Sequence, residues 1–173
     1  MENKSEWFDF LKDVHNLLLQ GQEIDHSWPN IQICIEPSFD NSIFLQLIIK
    51  NDFVEWYRTT WLRLVDAPKF APIEGLKYIG QVIKPTLRYE SGTVNKGDIT
   101  DIIYRVESLS VPVVLEKSRR IILDGTYYTL TIGAENTLVT YTWHSLPDEW
   151  APLGKLTKLL EAFNEKLAFK EHN

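Results

Sequence analysis

The stretch Ile121-Ile122-Leu123-Asp124-Gly125-Thr126-Tyr127-Tyr128-Thr129-Leu130-Thr131-Ile132 decides the fold class. Asp-Gly between two apolar, β-branched runs is a strong hairpin signal, because both turn positions take φ > 0. Tyr128, Leu130 and Ile132 share one face of the second run. After a short turn, Val139, Tyr141 and Trp143 share one face of a further strand, Thr137 to Trp143. Pro147-Asp148-Glu149 then opens a helix whose apolar residues are Trp150, Leu153, Leu156, Leu160, Phe163 and Leu167. Steps of three and four place them on one stripe. A sheet with one apolar face and a helix with one apolar stripe form a packing unit, and that unit is not an active site.

Upstream of this unit the same periodicities recur. Ser5 is read as the cap of a first helix carrying Trp7, Phe10, Leu11, Val14, Leu17 and Leu18, with Gly21 as its stop. Ile31, Ile33 and Ile35 alternate with Gln32, Cys34 and Glu36, which predicts a half-buried strand. Ile43, Leu45, Leu47 and Ile49 mark the next strand, and Phe53 to Val65 a longer third one with Trp56, Tyr57 and Trp61. Short links between them favour antiparallel neighbours. Ile73, Leu76, Ile79 and Ile83 have helical spacing between Pro72 and Pro85, against the cost of Gly75 and Gly80 inside a helix. Thr86 to Glu90 reads as a short strand and Ser91 to Gly97 as a loop. Asp98 is then expected to cap a helix with Ile99, Ile102, Ile103, Val106 and Leu109 on its apolar side and Asp101 in its first turn. The chain of 173 residues shows no internal repeat and no linker, so one domain spanning 1–173 is expected. The class is α+β: an antiparallel, twisted sheet with N- and C-terminal helices packed mainly on one face.

Composition narrows the function classes. A net charge of −6 opposes nucleic acid as a partner, since phosphate binding requires clustered Lys and Arg. The basic cluster Lys117, Arg119 and Arg120 reads as a solvated strand entrance. The single cysteine, Cys34, excludes an internal disulfide framework and a cysteine-based zinc site. The polar Met1–Glu6 segment lacks a secretion-signal core, and no apolar run has the ~18 residues of a membrane span. Cytoplasmic residence is the expectation.

The chemical constellations are sparse. In Gly92-Thr93-Val94-Asn95-Lys96-Gly97-Asp98 the lysine precedes the second glycine, the wrong order for a phosphate loop. His15, His26, His144 and His172 lack metal-helix spacing. Cys34, mid-strand between isoleucines, reads as a packing residue. His144, at a strand end beside Ser145, is the histidine to test, its plain reading being a turn residue beside a buried Trp. No cofactor and no metal are expected. Asp98/Asp101 and Asp148/Glu149 are explained by helix starts. Glu90, Asp98, Asp101 and Glu107 are also the candidate acidic surface for a basic protein partner.

Leu123-Asp124-Gly125-Thr126-Tyr127-Tyr128, then Tyr141-Thr142-Trp143, Pro147 and Trp150-x-x-Leu153, resembles the tail of many small bacterial proteins. Some of these are similar to immunity proteins encoded beside polymorphic toxins, including those of contact-dependent growth inhibition. The likeness covers the last third of the chain, and its motifs are structural. It implies a cytoplasmic inhibitor that binds a cognate toxin C-terminal domain and occludes its active site without catalysis of its own. Where that toxin is a nuclease its site is basic, and an acidic partner with exposed aromatics suits it. No binding residue carries over. Two other classes stand beside this one: a protein- or small-ligand-binding module unrelated to toxins, and an enzyme with dispersed residues using His144 or Cys34.

Overall fold

The computed structural model describes residues 3–20, 30–70, 83–111, 125–134 and 137–170. Its centre is one six-stranded sheet. The strands are β1 (Asn30–Pro37), β2 (Ser42–Ile49), β3 (Phe53–Trp61), β4 (Leu87–Asn95), β5 (Thr126–Ala134) and β6 (Thr137–Trp143). They run in the order β4-β3-β2-β1-β5-β6, with every neighbouring pair antiparallel. The helices are α1 (Asn3–Gln20), α2 (Arg63–Asp66), α3 (Thr100–Glu107) and α4 (Ala151–Lys170). The α+β class holds.

Side-chain parity gives the sheet two different faces. Ile31, Ile33, Leu45, Leu47, Val54, Trp56, Leu130 and Trp143 point to one, where they meet Ile99 and Ile102 of the α3 segment and Leu153, Leu156, Leu160, Phe163 and Leu167 of α4. The expected stripes of both helices are therefore the ones buried. Tyr128 stacks on Trp143, and Tyr141 meets Trp150 edge-on at the start of the closing helix.

The expectation that both terminal helices share this face is corrected. α1 lies on the opposite face, where Phe10, Val14 and Leu18 cover Cys34, Phe44 and Trp61. It begins at Asn3, so Ser5 lies inside it rather than capping it. Its placement also changes β1, which is not half-buried: from Asn30 to Cys34 every residue is buried, because helices cover both faces. Gln32 and Gln46, directly paired across β1 and β2, are buried with them.

Three boundaries move for identifiable reasons. β3 stops at Trp61 instead of running to Val65, because the chain turns into α2 and brings the Asp66 carboxylate back to the Trp61 indole N–H at 2.8 Å. β4 runs on through Ser91-Gly92-Thr93-Val94-Asn95, which the turn residues made look like a loop. It pairs with β3 along its whole length, and Gly92 lies opposite Trp56, whose ring stands 3.0 Å from where a Cβ would be. Asp98 is not the cap of α3: it sits in a 3-10 turn, Lys96–Ile99, that rotates Ile99 into the core. Asp101 is in the first turn of α3 as expected.

Gly21, the Ile73–Ile83 helical pattern up to residue 82, and Ile121-Ile122-Leu123-Asp124 of the Asp-Gly hairpin lie outside the described residues. Gly125 is described and has φ +148°, in the region open to glycine. From Tyr128 to Gly133, β5 has neighbours on both sides, β1 and β6.

Candidate interaction surface

α3 turns its residues in two directions. Ile102 is buried, with Ile103, Val106 and Leu109 packed against the core. At helical spacing on the other side stand Asp101, Tyr104, Arg105 and Glu107, with Asp98 one turn earlier, all exposed. Tyr104 is 64% exposed and sits three residues from Asp101 and three from Glu107, so it lies between the two carboxylates. The helix end is fixed: the Ser108 hydroxyl donates to the Tyr104 carbonyl at 2.7 Å, and the Ser108 N–H to the same oxygen at 3.0 Å. Tyr104 is thus an exposed aromatic side chain on a helix whose opposite side packs on the core.

Of the four acids singled out in the sequence, Asp98, Asp101 and Glu107 share this segment. Glu90 does not. It lies on β4, where its carboxylate accepts from Arg58 Nε at 2.8 Å and pairs with Arg88 Nε at 3.3 Å. Arg58 is itself buried, lies over the Trp56 ring and donates to the Asn164 carbonyl of α4 at 3.3 Å. Glu90 thus neutralises a buried guanidinium that ties β3 to β4 and α4. Tyr104 was missed in the sequence, although its position opposite Ile102 and Val106 on the helical wheel carries the signal.

The nucleophile and base candidates stand on different elements, Cys34 on β1 and His144 just past the end of β6. Cys34 is buried under α1; burial, and then the neighbouring Glu36 carboxylate, push its thiol well above the usual range. His144 lies over Gly125, so close that a Cβ there would clash with its Cε1. Gly125 in turn exchanges hydrogen bonds with Ser38, accepting from its hydroxyl at 2.9 Å and donating to it at 3.1 Å. His15 Nδ1 pairs with Glu36 Oε2 at 2.9 Å, joining α1 to β1. His26 and His172 are outside the described residues. Among the described residues there is no group of three His, Cys, Asp or Glu side chains placed to hold a metal. No helix among them is long and apolar enough to cross a membrane.

Among the described residues, two grooves lie beside α1. One, of about 700 Å³, runs between the helix and the β4 side of the sheet, lined by Leu17, Ile83, Leu87 and Tyr89 with Asp13 and Lys84. The other, of about 490 Å³, includes Leu11, His15, Glu36 and Tyr127. Comparison of the chain with protein-family models, curated proteins and solved structures gives no match.

Proposed function

We propose that this chain is an immunity protein that binds a cognate bacterial toxin domain and blocks its active site, acting in the cytoplasm. Tyr104, exposed between Asp101 and Glu107 on a helix backed by the core, is the observation that carries the reading. The net charge of −6 supports it, because an acidic inhibitor is drawn to a basic nuclease site and meets it faster than a neutral one would. The likeness of the 123–153 segment to toxin-linked immunity proteins points the same way.

Titration calorimetry against the toxin C-terminal domain encoded by the adjacent upstream gene tests this. A one-to-one nanomolar complex, about −12 kcal/mol, is expected. Tyr104→Ala should weaken it by ~2 kcal/mol, about 30-fold, as for an aromatic hot spot. No heat between two folded partners removes that toxin. Full affinity in Tyr104→Ala moves the docking surface away from α3.

The 700 Å³ groove beside α1 favours a second reading, a small-ligand module. A thermal shift with a small molecule, abolished by filling the groove with Leu17→Trp, would support it against the first.

A further inference from the structure

Arg58 and Arg88 share the Glu90 carboxylate, at 2.8 and 3.3 Å. Arg63 is held by a different means. Its guanidinium lies over the indoles of Trp7 and Trp61, 5.6 and 5.5 Å from the ring centroids, and its Nη1 donates to the Pro37 carbonyl at 3.3 Å. The acids nearest to it in this part of the fold are engaged elsewhere: Asp66 with Trp61, Lys69 and Thr86, and Asp40 with the Asn41 N–H at 2.7 Å. Among the described residues Arg63 has no ion-pair partner. Burial lowers its pKa, with no carboxylate to offset the loss of water. Ser42 pairs with Trp61 across β2 and β3, so the 38–41 turn and the start of α2 stand at the same end of the sheet. Three large apolar side chains are exposed there: Phe39 at 74%, Leu64 at 66% and Val65 at 51%.

We infer that this end of the sheet docks a protein segment that carries a carboxylate beside an apolar side chain. The carboxylate sits on the fork of Arg63, and the apolar group rests on Leu64, Val65 and Phe39. Charge complementarity selects the anion. Stacking on the two indoles uses the flat face of the guanidinium, and the bond to Pro37 uses one of its five N–H groups, so the in-plane donors that match a carboxylate stay available. The stack also fixes the fork in place before binding, which limits the side-chain entropy lost on contact. The apolar neighbours select a protein segment over a free anion, because inorganic phosphate could fill the fork but would leave Phe39, Leu64 and Val65 in water. A nucleic acid is opposed by the net charge of −6. This inference is independent of the toxin reading.

NMR titration of the full chain tests it, following the Arg63 Nε–H resonance, which is identified by its loss in Arg63→Lys. The probes are the end-blocked peptide Gly-Leu-Glu-Phe-Gly, its counterpart with Gln in place of Glu, and inorganic phosphate. The Glu peptide should move the Arg63 signal, and the Gln peptide should bind at least about 10-fold more weakly, the loss of one charge-assisted pair. Arg63→Lys keeps the charge without the fork and should weaken the Glu peptide about 10-fold. Leu64→Ser alters an exposed side chain, so it should melt like wild type and still weaken the peptide about 5-fold, which keeps the test open if Arg63→Lys fails to fold. An unmoved Arg63 signal, equal binding of the Gln peptide, or full affinity in Leu64→Ser overturns the inference. So does phosphate binding as tightly as the Glu peptide, which would leave a free-anion site, or an Arg63 signal that moves with protein concentration alone, which would give the site to a second copy.

Discussion

Asp66 is fully buried, yet it is a carboxylate, and its partners explain why. It accepts from Trp61 Nε1 at 2.8 Å, from Lys69 Nζ at 2.6 Å, and from the N–H and hydroxyl of Thr86, both at 2.7 Å. Burial alone would raise its pKa. The hydrogen bonds from Lys69, Thr86 and Trp61 outweigh burial and hold it below the ordinary carboxylate value. A folded value below the unfolded one means that the stabilisation is whole above the unfolded pKa, ~3.9, and is lost as pH falls through the folded one. Asp66→Asn should therefore flatten the acid limb: urea melts at pH 7 and pH 3 should differ less for the variant than for wild type. Parallel losses in the two proteins would assign the acid sensitivity to other carboxylates. Asp66→Ala, which leaves buried donors without an acceptor, should cost ~3 kcal/mol at pH 7.

At the scale of the element, β4 shows where sequence reading works and where it stops. The 3.6-residue stripes of the α3 segment and α4, and the alternation in β2, β5 and β6, were legible because one face of each meets a large core. The extension of β4 was not, because Gly92 is a turn signal locally and a packing residue in the sheet. A Cβ at Gly92 would lie 3.0 Å from Trp56 Cζ2, and that ring is buried and cannot swing away cheaply. Replacing a strand glycine by alanine gains ~0.4–1 kcal/mol from the unfolded chain. Overpacking a buried ring costs ~1–3 kcal/mol, so the clash wins. Gly92→Ala should lower the denaturation midpoint with an unchanged slope; a rise in the midpoint would mean that the indole gives way. The same lack of tertiary context hid the burial of Gln32 and Gln46, polar positions that alternation assigns to solvent and that the structure buries on the α1 face. It also hid the role of Glu90, whose partner Arg58 is 32 residues away. Tyr104, by contrast, follows from the wheel of its own helix.

Among the described residues the sheet has unequal cores on its two faces, and that asymmetry has a measurable consequence. On one face α3 and α4 bury Leu153, Leu156, Leu160, Phe163 and Leu167 in a cluster that draws side chains from all six strands. On the other, α1 is held by Phe10, Val14 and Leu18, by the Trp7–Phe10–Trp61 ring cluster and by the His15–Glu36 contact. Among the described residues less apolar surface holds α1, so it should open at lower free energy than the sheet–α4 body. Cys34 is a built-in reporter, being the only cysteine of the chain and buried beneath that helix. While α1 is seated, burial hides the sulfur and keeps it as the unreactive thiol; when α1 lifts, both protections go together. Thiol labelling in low denaturant should therefore proceed while the α4 amides remain protected from exchange. Val14→Ala removes two buried methyls and should destabilise the α1 contact by ~1–3 kcal/mol, raising the labelling rate about 5- to 150-fold with α4 protection nearly unchanged. Labelling that tracks α4 exchange in both proteins would mean instead that the two cores open as one cooperative unit, with the sheet transmitting the loss of either helix to the other.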